Sequence, residues 1–77
     1  MRHLKKRSIQ LAGHATSLAL EAEFWTELEH LARARGLSLA ALILQIDLER
    51  GERSLASACR LAALSHARGS AAAAGTD

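Results

Sequence analysis

The ten residues from Leu39 to Leu48, LAALILQIDL, hold only two polar side chains, Gln45 and Asp47. Leu39, Leu42, Ile43 and Ile46 recur at helical spacing, and Ala40, Ala41, Leu44 and Leu48 fill the other sides. A helix that is apolar most of the way round has to be covered on several sides. The chain has 77 residues, and a chain of that size buries only about 60% of the surface its unfolded form exposes. Disulfides, a metal or a partner subunit normally make up the difference. With one cysteine, Cys59, an internal disulfide is excluded, and Cys59, His3, His14, His30 and His66 show no zinc-like spacing. A second copy of the chain is the remaining source of cover, and the sequence predicts a homodimer.

Upstream, Thr16 to Leu20 alternates, with Leu18 and Leu20 on one side and Ser17 and Ala19 on the other. That period of two predicts a short strand. Ser8 to Leu11 also suits an extended conformation, followed by a bend or bulge at Gly13. No strand pattern follows further along the chain. A lone strand cannot satisfy its own amides and carbonyls, so its predicted partner is the same strand of another copy.

Glu21 to Arg35 predicts a first helix that buries Phe24, Leu28, Leu31 and Ala32. Trp25 flanks this stripe and reads as packing in the core or at a dimer edge rather than as a base-stacking platform. Acids near the start (Glu21, Glu23, Glu27) and Arg33 and Arg35 near the end complement the helix dipole. Gly36 is placed as its left-handed C-cap. Ser38 caps a second helix from Leu39 to about Arg50, ended by Gly51. Ser54 caps a third, running to about His66, with Gly69 as its stop. Cys59 reads as a small buried hydrophobe on that helix. The predicted organisation is a basic arm over residues 1–7, a folded domain over 8–66 and a disordered alanine-rich tail over 67–77.

Net charge is only +2, but Arg2, Lys5, Lys6 and Arg7 place four cations, and no acid, in the first seven residues. Such an arm suits a polyanion, whether nucleic acid or an anionic membrane surface, or else serves as a solvated tail. Leu4 is its only large apolar anchor beyond Met1, so a membrane partner ranks last. The run from Ser8 to Leu20 imitates the apolar part of a signal peptide but is interrupted by Gln10, Gly13, His14, Thr16 and Ser17. Together with the lone thiol, this favours a cytoplasmic protein. His14 reads as a turn residue or a phosphate contact, and His30 receives no role.

Strand, helix, a Gly36-Leu37-Ser38 turn and a very apolar second helix occur in that order. This resembles the ribbon-helix-helix superfamily of Arc-, MetJ- and CopG-like proteins. Gly13-His14-x-Thr16-Ser17, Leu20-Glu21, Phe24-Trp25, Leu39-Ala40-Ala41-Leu42 and Ile46-Asp47 are similar to one bacterial subfamily. Its C-terminal segment is matched by Leu55-Ala56-Ser57-Ala58-Cys59-Arg60-Leu61. The resemblance implies a mainly α fold with one short strand and a third C-terminal helix. It also implies an intertwined homodimer whose intermolecular two-stranded antiparallel ribbon enters the DNA major groove. Leu18, Leu20, Phe24, Leu28, Leu42, Ile43 and Ile46 would form the dimer core. Ala15, Ser17 and Ala19 would face the bases, and the second helix would offer Ser38, Leu39 and Ala40 to a phosphate.

The ribbon face departs from the superfamily, whose members carry long polar side chains there. Alanine offers a methyl contact to thymine and no hydrogen bond. Either Arg7 and Gln10 read bases while Lys5 and Lys6 hold phosphates, or binding is by charge alone, or the chain is a protein-interaction module of antitoxin or adaptor type. No nucleophile–base–acid set, carboxylate pair or phosphate loop is present, and neither an enzyme nor a cofactor is expected.

Overall fold

The computed structural model describes residues 3–74, with side chains described through Gly69. Met1 and Arg2 of the expected arm, and residues 75–77 of the expected tail, lie outside it. The order is β1 (Leu4–Leu11), β2 (His14–Glu21), α1 (Ala22–Arg35), α2 (Leu39–Glu49) and α3 (Leu55–Ala74).

The two strands form an antiparallel hairpin in register from Leu4 opposite Glu21 to Leu11 opposite His14. Its loop has two residues, Ala12 and Gly13, with φ of 50° and 85°. Positive φ at both positions is the pattern of a type I′ turn, whose twist matches that of the flanking strands. The expectation of a single short strand is therefore corrected: the chain has two strands, and β2 pairs with β1. The partner strand lies upstream, its first half (Leu4–Arg7) in the stretch assigned to the arm and its second half (Ser8–Leu11) in the stretch read as extended, and β2 finds its ladder within its own chain.

Ile9 and Leu11 from β1 and Leu18 and Leu20 from β2 point inward, each no more than 7% exposed. They close on Trp25, Leu28, Leu31 and Ala32 of α1 and on Leu42, Ile43 and Ile46 of α2. Ala58, Cys59 and Ala63 complete the cluster from α3. The very apolar α2 packs against α1, α3 and β1 at once. Its need for cover on several sides is thus met largely inside one chain, with Leu48 left exposed. Leu18, Leu20, Leu28, Leu42, Ile43 and Ile46, expected as a dimer core, are core residues of the single protomer.

Of the two aromatics expected to pack on the first helix, Trp25 is the more deeply buried, although the periodicity places Phe24 on the central stripe and Trp25 beside it. Trp25 is 1% exposed, whereas Phe24 is half-buried. The indole lies on the stripe with Leu28, Leu31 and Ala32, and its Nε1–H donates to the Lys5 carbonyl at 2.7 Å. That carbonyl exists as an acceptor only because β1 docks beside α1.

Helix ends follow their sequence signals. Gly36 has φ 69° and donates to the Arg33 carbonyl, while the Leu37 amide reaches the Ala32 carbonyl. Ser38 Oγ accepts from the Ala41 amide, and Ser54 Oγ from the Ser57 amide. The exception is α3, which continues through Gly69 to Ala74 where a stop and a disordered tail were expected. Glycine in a helix interior costs about 1 kcal/mol relative to alanine. The following alanines are the strongest helix formers and outweigh it.

Candidate nucleic-acid interface

In an antiparallel pair, residues directly opposite share a face. The register therefore puts Lys6 with Ala19, Ser8 with Ser17, and Gln10 with Ala15 on the outer face of the hairpin. All six are exposed except Ala19, which is half-buried. Ala15, Ser17 and Ala19 point outward as their alternation predicts. The polar side chains that β2 lacks come from β1, directly across each pair. Lys6, Ser8, Gln10 and Ser17 make no side-chain hydrogen bond among the described residues. Their hydrogen-bonding groups face solvent.

Arg7 and Lys5 fall on the opposite face, opposite Leu18 and Leu20. Arg7 Nη1 donates to Glu29 Oε2 at 2.9 Å, and its guanidinium lies 4.7 Å from the Trp25 ring centroid. A guanidinium held by a carboxylate and an indole belongs to the joint between β1 and α1, not to the outer face. Lys5 lines a hollow there with Lys6, Arg7, Ala22, Trp25 and Thr26. The cationic group expected to act as one flexible arm is thus split by strand alternation. Lys6 sits on the outer face, while Lys5 and Arg7 sit at the rim of the core.

At the second expected contact, the start of α2, Ser38 is exposed and Leu39 half-buried. Ser38 Oγ already serves as the cap acceptor for Ala41. The first-turn amides of Leu39 and Ala40 have no intrahelical acceptor, as at any helix start.

Two residues take structural roles that sequence patterning does not reveal. Arg60 of α3 bonds Glu21 Oε1 through Nε and Nη2, at 3.0 and 2.9 Å, and lies 5.7 Å from the Phe24 ring centroid. It ties α3 to the junction of β2 and α1. Arg50 closes the end of α2 by bonding Asp47 Oδ1 and the Arg53 carbonyl. The 39 positions between Arg60 and Glu21 leave no local signal for the first pairing. Cys59 is fully buried, and its thiol is pushed from the ordinary 9.0 up to about 11, chiefly by burial, with Asp47 adding to the shift and Arg60 opposing it. It acts as a core hydrophobe, not a nucleophile.

A family model described as a ribbon-helix-helix domain matches residues 4–67. The chain belongs to the ribbon-helix-helix domain family. Comparison with curated proteins and with solved structures gives no significant match. The family match begins at Leu4 and so takes in β1 as well as β2. In this ribbon-helix-helix chain the two-stranded sheet and three helices all lie within or overlap the matched span. No helix among the described residues is long and apolar enough to cross a membrane.

Proposed function

We propose that this chain is a homodimeric DNA-binding protein, a transcriptional regulator that sets the outer face of its sheet in the major groove. The observation that carries this reading is the composition of that face. It is exposed apart from the half-buried Ala19, and it holds the Lys6 cation, three neutral hydrogen-bonding side chains and two alanines. Its one acid, Glu21 at the far end, is bound by Arg60. Ribbon-helix-helix domains typically dimerise and bind DNA. A second copy would also cover Leu4, Leu48, Leu61 and Leu64, which a single chain leaves exposed. The role is binding and not catalysis, and the compartment that suits it is the cytoplasm.

Titration of labelled duplex DNA, including the region upstream of the gene, over a salt series tests this. If the outer-face Lys6 of each of two chains neutralises one phosphate, log affinity falls against log salt with a slope of roughly −2. Absence of salt-dependent binding to any duplex would remove the reading.

A protein-interaction module of antitoxin or adaptor type is the second reading. It is favoured by Leu64, exposed on α3 beside a shallow apolar hollow lined also by Phe24, Ala63 and Ala67. Co-purification of a defined partner lost on Leu64→Glu, in a protein that ignores DNA, would favour it over the first.

A further inference from the structure

We propose that Glu27, His30 and His66 form a proton-operated clasp, which fixes the C-terminal half of α3 against α1 in mildly acidic conditions and releases it above neutrality. Glu27 stands between the two rings. Its Oε2 lies 3.7 Å from Nε2 of His66 on α3, and its Oε1 lies 3.9 Å from Nδ1 of His30, one turn further along α1. Both separations are too long for a hydrogen bond. A neutral imidazole at such a distance contributes little, whereas a protonated one forms an ion pair, so each contact depends on charge. Histidine is the side chain whose charge ordinarily changes near neutral pH. With both rings protonated, two cations flank one carboxylate.

Its position gives the clasp leverage. Arg60 pairs with Glu21, and His66 with Glu27, at the same separation of 39 positions, so α3 runs alongside α1 in the same direction. The two pairs are successive polar ties along one joint. Arginine stays charged at every physiological pH, which makes the Arg60 tie permanent and the His66 tie conditional. Leu64 is the last large apolar side chain of the sequence. Past it, α3 offers small side chains, Arg68 and Gly69, and a glycine weakens a helix from within. A tie of modest strength therefore decides how firmly this end is held. Glu27 also lines the hollow formed by Phe24, Ala63, Leu64 and Ala67, so closing the clasp fixes the shape of that surface as well.

The charges around this joint leave the arrangement in place. Glu23 of α1 lines the same hollow as Glu27 and adds a second negative charge to that side. Arg60 is held by Glu21 of β2, Glu29 of α1 by Arg7 of β1, and Asp47 of α2 by Arg50. Arg33 lines a different hollow, with Glu29, Leu37 and Leu39, and Arg68 is exposed.

The test is amide hydrogen exchange of the full chain at about pH 5.5 and about pH 7.5, on either side of the ordinary histidine value, with rates corrected for the intrinsic effect of pH. The attraction needs a charged ring, so it is present at the lower pH and lost as pH rises past neutrality. Wild-type protection over residues 64–69 is expected to be about two- to fivefold higher at the lower pH, the scale of one or two partly exposed ion pairs. The Glu27 and His66 side chains are 25% and 24% exposed, so Glu27→Gln and His66→Gln are expected to keep the fold by circular dichroism. Each is expected to abolish the difference. His30→Gln, at a ring 53% exposed, is expected to reduce it by less. Equal wild-type protection at the two pH values would overturn the clasp, as would a difference that survives both Glu27→Gln and His66→Gln. A difference of the same size over α2 and β2 would also overturn it, because it would belong to the whole fold.

Discussion

Ala12 occupies left-handed backbone with φ 50°, a conformation that costs an ordinary L-residue about 1–2 kcal/mol. Asparagine tolerates it better and is favoured at the first position of a type I′ turn. Ala12→Asn is therefore expected to stabilise the protein by about 1 kcal/mol. The corresponding rise in Tm is about 4–8 °C for a domain of this size, and thermal unfolding followed by circular dichroism reads it directly. A second residue-scale expectation concerns Cys59. Its thiol titrates near 11 in the fold against 9.0 ordinarily, so the neutral form is the one the core holds. A raised pKa means that this contribution is complete below the ordinary value and is lost as pH rises through the folded one. Urea midpoints are expected to fall as pH goes from 9.0 to about 11, and Cys59→Ala to flatten that decline. A decline of equal steepness in Cys59→Ala would assign it elsewhere.

Among elements, the joint between β1 and α1 is the one on which the outer face depends. Arg7 bridges Glu29 and Trp25, and the indole bonds the Lys5 carbonyl. Because the Arg7 side chain is 42% exposed, Arg7→Ala is expected to cost at most about 1 kcal/mol. Its main effect should be faster hydrogen exchange confined to β1. Lys6→Ala, on the outer face, should leave exchange alone and weaken DNA binding. Helix α2 behaves differently, since Ile43 is fully buried on a helix that packs against α1, α3 and β1. Ile43→Asp places a charge where nothing pairs with it, at a cost of several kcal/mol, and is expected to abolish the far-ultraviolet helix signal. A folded Ile43→Asp protein would contradict the packing described. Much of this scale was readable in advance. Gly36, Ser38 and Ser54 mark helix ends because a cap is a contact among near neighbours. Phe24 and Trp25 exchanged roles because adjacent helical positions differ by only 100° in facing, and the docking of β1 chose between them.

At the scale of the molecule, core closure and oligomerisation separate. Most side chains expected to demand a dimer are buried within one chain, while Leu48 of α2 and Leu61 and Leu64 of α3 remain 76%, 43% and 46% exposed. Sedimentation is expected to show a dimer at micromolar concentration. Leu61→Glu/Leu64→Glu is expected to give a folded monomer with its helix content retained. A wild-type chain that sediments as a monomer at every concentration would remove the homodimer. Loss of fold in the double variant would instead place these leucines in an obligate interface.

The amino-acid sequence by itself determined the three helices, most of their ends, and which side chains of Thr16 to Leu20 point inward. These depend on periodicity and capping, which act over a few residues. It also showed that α2 had to be covered on several sides and that the strand needed a partner. What it left open was the identity of the cover, because a buried face records that it is buried and not what lies against it. The tertiary structure decided that: β1 and α3 of the same chain cover α2, and β1 completes the sheet. Pairing β1 with β2 then split the basic segment by the alternation of a strand. Arg7 went to Trp25 and Glu29, while Lys6 and Gln10 went to the outer face.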